Sequence, residues 1–210
     1  MLVYGVLSPH PPIILPEIGG PELEKVEKTI GALWRAAQEL AKTDPEKIVI
    51  ISPHEAHGFE VPWYYLGKNL SANIEVEKIL VTQRSYDYYF ELGKNYGKSL
   101  TNSKKRTAII ASGDLSHVLR ENGPYGFNPA GPKLDKIIVK AIEKKDLNTL
   151  LKIDPKILDD GAECGLRSLI FLMSAFKNTA YKPKVLSYEG PFGVGYAVAT
   201  FKPEKRNESA

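Results

Sequence analysis

Residues 47–54 read KIVIISPH, a run of β-branched apolar residues that stops at Ser52-Pro53 and is followed at once by His54. A short, continuous apolar run of this kind is typical of a strand that is buried on both faces of a parallel sheet. Proline cannot donate a hydrogen bond to a strand ladder, so the strand should end at Ser52. The stretch therefore predicts a buried strand with a histidine held at its carboxyl end.

The same arrangement occurs at two other places. Residues 2–7 (LVYGVL) are followed by Ser8-Pro9-His10, and residues 106–112 (RTAIIAS) are followed by Gly-Asp-Leu-Ser-His at 113–117. Both apolar runs predict buried strands. Further strands are predicted at 61–66 (VPWYYL) and 74–81 (IEVEKILV), as a hairpin extension, and at 184–190 (KVLSYEG) and 195–201 (GYAVATF).

Helical patterns lie between these strands. In residues 20–44 the apolar residues recur at intervals of three and four along one helical face. Further helices are predicted over 85–100, 131–145, 146–153 and 164–176. Strands of continuous valine and isoleucine that alternate with helices are typical of an α/β protein, with a mixed, mostly parallel sheet and helices on both faces. We therefore expect a single domain over residues 1–202 and a polar tail over 203–210.

Composition and charge limit the kinds of function. The 210 residues are 43% hydrophobic and 25% charged, with a net charge of +3, as in an ordinary globular protein. The basic residues are scattered, and no apolar run reaches the roughly 18 residues of a membrane helix. The first residues lack a signal-peptide pattern, and the single cysteine fits a reducing compartment. We expect a cytoplasmic protein that binds neither nucleic acid nor membranes, and a homo-oligomer is compatible with this pattern.

The four histidines, His10, His54, His57 and His117, all follow predicted buried strands. Because sites in α/β sheets form just beyond the strand ends, we expect these side chains to share one rim. The prolines before His10 and His54 stiffen the chain there and reduce the entropy lost in holding a ligand. Histidines alone would suit zinc, whereas two imidazoles and a carboxylate form the facial triad of non-haem Fe(II).

A carboxylate and a thiol lie together in Glu163-Cys164-Gly165, where an apolar helix is predicted to begin. Glu163 would complete an iron triad with His10 and His54, or would be a helix-start carboxylate that the helix dipole favours. Successive helical residues point about 100° apart, so only one of Glu163 and Cys164 would face a metal. A thiolate ligand would indicate zinc or copper, and a buried free cysteine would otherwise behave as a small hydrophobe.

His117 has a different role in this interpretation. A histidine that is near a metal but not bound to it is a natural general acid and base. Asp114, three residues earlier, would orient the His117 ring or its loop through a hydrogen bond. Asp114 is equally compatible with an ordinary turn, since Gly-Asp is common turn chemistry.

These motifs, taken in order, resemble the class III extradiol ring-cleavage dioxygenases, specifically their catalytic LigB-like subunit family, and the Memo-like relatives of that family. The resemblance implies an α/β sandwich around a mixed sheet. It also implies that His10, His54 and Glu163 bind Fe(II), that His117 is the acid and base, and that His57, beside the second metal histidine, contacts substrate or metal without being one of the three ligands. The cysteine of Glu-Cys-Gly is a Memo-like feature, and in a Memo-like protein this cysteine would be the ligand.

The sequence therefore predicts an oxidoreductase: a non-haem Fe(II) extradiol dioxygenase that cleaves a catechol-like ring in the catabolism of aromatic compounds. Its partners would be a phenolic or catecholic small molecule and O₂. Two alternatives stay open. One is a Memo-like protein that binds copper or zinc without ring cleavage, and the other is a zinc hydrolase in which the metal activates water.

Overall fold

The structure is a computed structural model that describes residues 1–204. Its strands are Leu2–Ser8 (β1), Lys47–Ser52 (β2), Glu75–Leu80 (β3), Thr107–Ser112 (β4), Tyr181–Glu189 (β5) and Tyr196–Pro203 (β6). Its α-helices are Pro16–Gly19 (α1), Glu27–Ala41 (α2), His57–Leu66 (α3), Tyr86–Thr101 (α4), Ala130–Lys144 (α5), Leu147–Leu151 (α6), Pro155–Gly161 (α7) and Leu166–Ala175 (α8). Within residues 1–204, no helix combines the length and apolar character that a membrane crossing requires. Most of the predicted polar tail, residues 205–210, lies outside the described residues.

All six strands belong to one sheet, in the order β3-β2-β4-β1-β6-β5. The strand β4 pairs in parallel with β1 on one side and with β2 on the other, and β3 pairs in parallel with β2. The last two strands are antiparallel, since β6 pairs with β1 and with β5 in that sense. The predicted α/β class with a mixed, mostly parallel sheet is confirmed.

A hydrophobic core lies on each face of the sheet, which explains the continuous apolar strands. In β2, Ile48 and Ile50 belong to one core, while Val49 and Ile51 belong to the other. The first core is closed by residues of α2 and α3, and the second by residues of α4, α5 and α8. Successive strand residues point to opposite faces, so a strand between two helical layers must be apolar at every position. The predicted helices on both faces are therefore confirmed.

The prediction of a strand at residues 61–66, in a hairpin with 74–81, is wrong. These residues form the second half of α3, and β3 instead pairs in parallel with β2. In a helix that begins at His57, the apolar residues of this segment lie on the face that packs against the core. The buried residues of α3 are Gly58, Phe59, Val61, Pro62, Tyr65 and Leu66. Pro62, which argues against a helix interior, is tolerated because the carbonyl that it leaves without a partner, that of Gly58, accepts from a side chain of β4.

The helix predicted over residues 20–44 begins later than expected. Gly20–Val26 forms a 3-10 segment, and the α-helix α2 starts only at Glu27. The cause is a cap supplied from elsewhere in the chain: Glu189, at the end of β5, accepts hydrogen bonds from the backbone N–H (2.8 Å) and the hydroxyl (2.6 Å) of Thr29. A carboxylate there satisfies donors that the first turn of a helix leaves free, so it determines where α2 begins.

We predict opposite effects for two glycine-to-alanine substitutions in helices. In α4, a Cβ at Gly97 would overlap the carbonyl oxygen of Ala175 in α8, so Gly97→Ala should destabilise the fold by about 1–3 kcal/mol. In α2, a Cβ at Gly31 meets only the end of the Arg35 side chain, at 3.5 Å, so Gly31→Ala should stabilise it by about 0.5–1 kcal/mol. Urea unfolding of the two variants measures both, and equal effects would contradict the close packing of α4 on α8.

Candidate metal centre

Three histidines meet at one rim of the sheet. His10 lies just beyond β1, His54 lies just beyond β2, and His57 is the first residue of α3. The ring centroids are 5.1 Å apart for His10 and His54, 5.4 Å for His10 and His57, and 5.2 Å for His54 and His57. One nitrogen of each ring lies within 4.8 Å of a nitrogen of the other two. The parallel strands therefore bring together side chains that lie more than forty residues apart in sequence.

The hydrogen bonds of His10 determine which of its ring nitrogens is free. Its Nδ1 lies 2.9 Å from the Ser112 hydroxyl oxygen, and that hydroxyl donates its only proton to the Gly58 carbonyl at 2.5 Å. Ser112 must therefore accept from His10, so Nδ1 carries the ring proton. The lone pair is left on Nε2, the atom that lies 3.6 Å from the Cys164 sulfur. Support of this kind for one ring nitrogen is characteristic of histidines that bind metals through the other.

Two of the imidazoles, those of His10 and His54, are held in the neutral form that binds metals. His10 is almost fully buried, and this burial, with the neighbouring rings of His54 and His57, lowers its pKa to about 3. Burial, followed by His57, also lowers the pKa of His54, although that side chain is more exposed. Neither ring therefore carries a proton on both nitrogens near neutral pH, and their lone pairs are available.

A second set of donors shares His10 with the first. The Cys164 sulfur lies 3.6 Å from His10 Nε2, and the Asp114 carboxyl oxygen Oδ2 lies 3.8 Å from the same atom. Asp114 also accepts from the His10 backbone N–H at 3.1 Å, and its own N–H donates to the Cys164 sulfur at 3.3 Å. Burial raises the pKa of the Asp114 carboxyl to about 7 and that of the Cys164 thiol well above its usual range. Cys164 thus faces His10.

Glu163, the predicted carboxylate ligand, points to other partners. It belongs to neither of the two donor sets found in residues 1–204. One carboxyl oxygen accepts from the Leu166 backbone N–H at 2.5 Å, and the other accepts from the Tyr86 hydroxyl at 3.2 Å. Leu166 is the first residue of α8, so Glu163 has the helix-start contact that was the alternative interpretation of its sequence position. Burial raises its pKa.

His117 lies on the loop after β4, on the same rim. Its Nδ1 lies 2.5 Å from the Ala162 carbonyl oxygen, which can only accept, so Nδ1 carries the proton and Nε2 has the lone pair. Burial lowers the pKa of this ring. The Tyr125 ring packs edge-on against it, with 5.3 Å between centroids. The predicted partner Asp114 accepts from the His10 backbone N–H instead, and no hydrogen bond joins it to the His117 ring within residues 1–204.

A fully buried carboxylate holds the loop that carries His117, and the sequence interpretation missed it. Asp135 of α5 accepts from the Ser116 backbone N–H at 2.8 Å and from the Tyr188 hydroxyl at 2.6 Å. The Ser116 carbonyl in turn accepts from Gly195 N–H at 2.7 Å. The sequence did contain a sign of this role, because a charged residue at position 135 falls on the apolar face of α5, beside Leu134. Ser112 was also missed, and nothing in its sequence context separates it from an ordinary strand-end serine.

The donors at this rim fit a transition-metal ion. Imidazole nitrogen suits zinc, copper and iron, while a thiolate sulfur favours zinc or copper. The fit rests on the hydrogen-bonded tautomer of His10 and on the lowered pKa values of His10 and His54, since metal ligands must be unprotonated at the binding atom. The rim therefore defines a candidate metal-binding α/β protein.

The chain belongs to the family of the catalytic LigB subunit of aromatic ring-opening dioxygenases, whose family model matches residues 55–199. The matched range contains His57, Asp114, His117 and the Glu163-Cys164 pair. It begins immediately after His54, so His10 and His54 are placed at the site by the geometry of the sheet. Membership agrees with an oxidoreductase of the dioxygenase type.

The chain is also similar to individual proteins from other organisms. Protein CA_C1420 of Clostridium acetobutylicum is 28% identical over 261 aligned positions, which take in 91% of this chain and 56% of that protein. The chain thus spans about half the length of this curated relative. The crystal structure of the uncharacterized protein JW3007 from Escherichia coli K12 superposes with a TM-score of 0.57 at 14% identity, over 95% of this chain and 99% of that one. The superposition shows a common fold.

We predict that Ser112→Ala lowers the affinity for Zn²⁺ by about 10- to 100-fold, the usual cost of losing a residue that supports a metal ligand. The substitution removes the partner of His10 Nδ1 and leaves the Gly58 carbonyl without its donor. Competition with a chromophoric chelator measures the affinity. Ser168→Ala is the matched control, since the buried Ser168 hydroxyl has no hydrogen-bond partner within residues 1–204. Equal affinities in the two variants would contradict the role of Ser112.

Proposed function

We propose that this protein is a metal-dependent dioxygenase that cleaves a catechol-like ring with O₂, with the metal held by His10, His54 and His57. The observation that carries the proposal is the convergence of three imidazoles with His10 Nε2 left unprotonated by the contact with Ser112. Family membership supplies the reaction class, that of aromatic ring opening. When bound, a ferrous ion would supply the electron transfer between substrate and O₂ that this class of reaction requires.

The proposed ligand set differs from the one expected by resemblance, in which Glu163 takes the third place. Two contacts support the change: the Glu163 carboxylate is engaged by Leu166 N–H and by the Tyr86 hydroxyl, while His57 faces both other histidines. Moving the carboxylate to the metal would leave the first turn of α8 without that acceptor. A third imidazole requires no such rearrangement.

His117 is the proposed acid and base. Its Nε2 has the lone pair, because Nδ1 donates to the Ala162 carbonyl, so the ring accepts a proton from a substrate hydroxyl and returns it later. Asp135, which holds Ser116 in the preceding position, keeps this loop in place. The Tyr125 ring, edge-on to His117, forms part of the wall that a planar aromatic substrate would meet.

A second candidate function follows from Cys164. Its sulfur is 3.6 Å from His10 Nε2, whereas the carboxylate of the neighbouring Glu163 is turned elsewhere. Histidine and cysteine together favour zinc or copper over iron. A protein that binds one of these metals without cleaving rings, or that uses zinc to activate water for hydrolysis, would have this donor set.

We predict that three single variants separate these ligand sets. His57→Ala should weaken Fe²⁺ binding by more than the roughly 100-fold that loss of a supporting residue costs, while Glu163→Gln and Cys164→Ser should keep it within about tenfold. Metal content after anaerobic loading measures the effect, and circular dichroism checks the fold. If only Glu163→Gln loses iron, the ligand set is instead the triad of two histidines and one carboxylate. Loss of zinc or copper in Cys164→Ser alone would favour the second candidate.

We predict that protein loaded anaerobically with Fe²⁺ turns over a catechol once O₂ is admitted, giving a coloured ring-opened product. His117→Ala should bind the same amount of iron but turn over about 10²- to 10⁴-fold more slowly, the usual worth of a positioned acid and base. Absorbance after mixing measures the rate, and zinc-loaded protein is the control without redox chemistry. An iron-loaded protein that cleaves no member of a panel of catechols would rule out the proposed function.

A further inference from the structure

A small pocket lies at the end of the sheet that is opposite to the histidines. It has a volume of about 260 Å³, and its walls come from α4, the turn between α5 and α6, the end of α8 and the start of β5. Tyr181, the first residue of β5, pairs with Pro203, the last residue of β6. Because β6 runs antiparallel to β1, this end of β6 lies at the amino end of β1, whereas His10 follows the carboxyl end. The pocket is therefore separate from the candidate metal centre.

The floor and walls of this pocket are apolar. Met173 of α8 belongs to the hydrophobic core and is 1% exposed, yet it lines the pocket. Phe90, Leu147 and Tyr181 are partly buried against the same core and also line it. Aromatic rings favour stacked or edge-on contacts with other rings. A flat apolar ligand would cover surface that the fold leaves open here.

Two lysines line the same pocket, and each lies over an aromatic ring. The Lys177 Nζ is 4.6 Å from the centroid of the Phe90 ring, and the Lys145 Nζ is 5.4 Å from that of the Tyr181 ring. The face of an aromatic ring attracts a cation without neutralising its charge. Neither lysine forms an ion pair with an acidic group of residues 1–204. Both ammonium groups are therefore available to an anion.

The acidic residue of the pocket, Asp146, has other partners. Its carboxylate caps α6, because one oxygen accepts from the Thr149 backbone N–H at 3.0 Å and the other from the Thr149 hydroxyl at 2.6 Å. The charged lining is thus two lysines and one engaged carboxylate, which leaves it net positive. Lys145 and Lys177 follow the carboxyl ends of α5 and α8, where the helix dipole favours a cation. The dipoles account for the charges but not for the open apolar surface beside them.

We propose that this pocket binds a small carboxylate with a flat apolar body, such as an aromatic carboxylate. The body would lie on Met173 between Phe90 and Tyr181, and the carboxylate would accept charge-assisted hydrogen bonds from Lys145 and Lys177. A few polar groups beside an apolar surface are typical of small-molecule sites, and the volume suits a ligand of benzoate size. The proposal is independent of the proposed function, because it uses no residue of the candidate metal centre.

The test uses the two methionines of the chain, Met1 and Met173. In protein of 210 residues with ¹³C-labelled methionine methyl groups, NMR should show that benzoate shifts the Met173 signal through its ring current. Met1, which does not line the pocket, is the internal control, and Met173→Leu assigns the two signals. Titration of the shift gives dissociation constants without metal loading or turnover. Benzoate should bind about fivefold more tightly than benzamide, which has the same ring and no charge.

Substitution of the lysines tests the anionic part of the proposal. Lys145→Gln and Lys177→Gln should each reduce the preference for benzoate over benzamide to about twofold or less, because each removes one cation. Lys28→Gln, which removes an exposed lysine of α2 outside the pocket, should leave the preference unchanged. These three side chains are exposed, so the variants should fold, and circular dichroism checks this.

Four outcomes would overturn the proposal. They are an unmoved Met173 signal, equal binding of benzoate and benzamide, a preference that persists in both lysine variants, and equal loss of the preference in Lys28→Gln. Competition separates an aromatic carboxylate from a simple anion. Acetate and inorganic phosphate at matched ionic strength should displace benzoate at least about fivefold less effectively than unlabelled 4-methylbenzoate does. Displacement by phosphate or acetate with equal potency indicates a site for any anion and rejects the apolar part of the assignment.

Discussion

The order of the candidate metal centre depends on a hydrogen bond that Pro62 cannot make. In a regular helix the Gly58 carbonyl would accept from the N–H four residues later, but that residue is a proline. The free carbonyl accepts instead from the Ser112 hydroxyl, and Ser112 is thereby made an acceptor for His10. One chain of hydrogen bonds therefore runs from the His10 ring, through the Ser112 hydroxyl at the end of β4, to the Gly58 carbonyl in α3. A residue that is normally unfavourable inside a helix determines the protonation of a ring in the neighbouring loop.

Burial rather than a counter-charge controls the electrostatics of this rim. The pKa values of His10, His54 and His117 are all lowered, with burial as the largest cause, and burial raises those of Asp114, Glu163 and Cys164. Both groups of side chains are pushed towards their neutral forms, as expected for charges moved out of water. A cation entering such a site would supply the charge that favours deprotonated ligands, so binding and proton release would be coupled.

Strand ends could be predicted from the sequence with more certainty than the orientation of single side chains. Continuous Val and Ile runs indicate a parallel sheet with helices on both faces, and the parallel pairing of β1, β4 and β2 brings His10, His54 and Asp114 to one rim. The segment 61–66 was mistaken for a strand because its aromatic residues favour strands locally, and the burial that selects the helix is a tertiary effect. The choice between Glu163 and Cys164 depends on where α8 begins, since a shift of one residue turns a helical side chain by about 100°. Sequence patterns do not locate a helix start that finely.

The position of β1 in the sheet has a consequence for how the chain folds. This first strand lies between β4 and β6, so Leu2 pairs opposite Thr107 and Gly5 opposite Phe201. Such pairings close very long loops, and a topology rich in them folds slowly. During synthesis, β1 would stay unpaired until β4 and β6 had been made. Its apolar side chains would meanwhile be exposed and able to bind chaperones or to self-associate. His10 is synthesised before all of these partners, and its surroundings are complete only after β6 has been made. The candidate metal centre is therefore complete only after the sheet has closed.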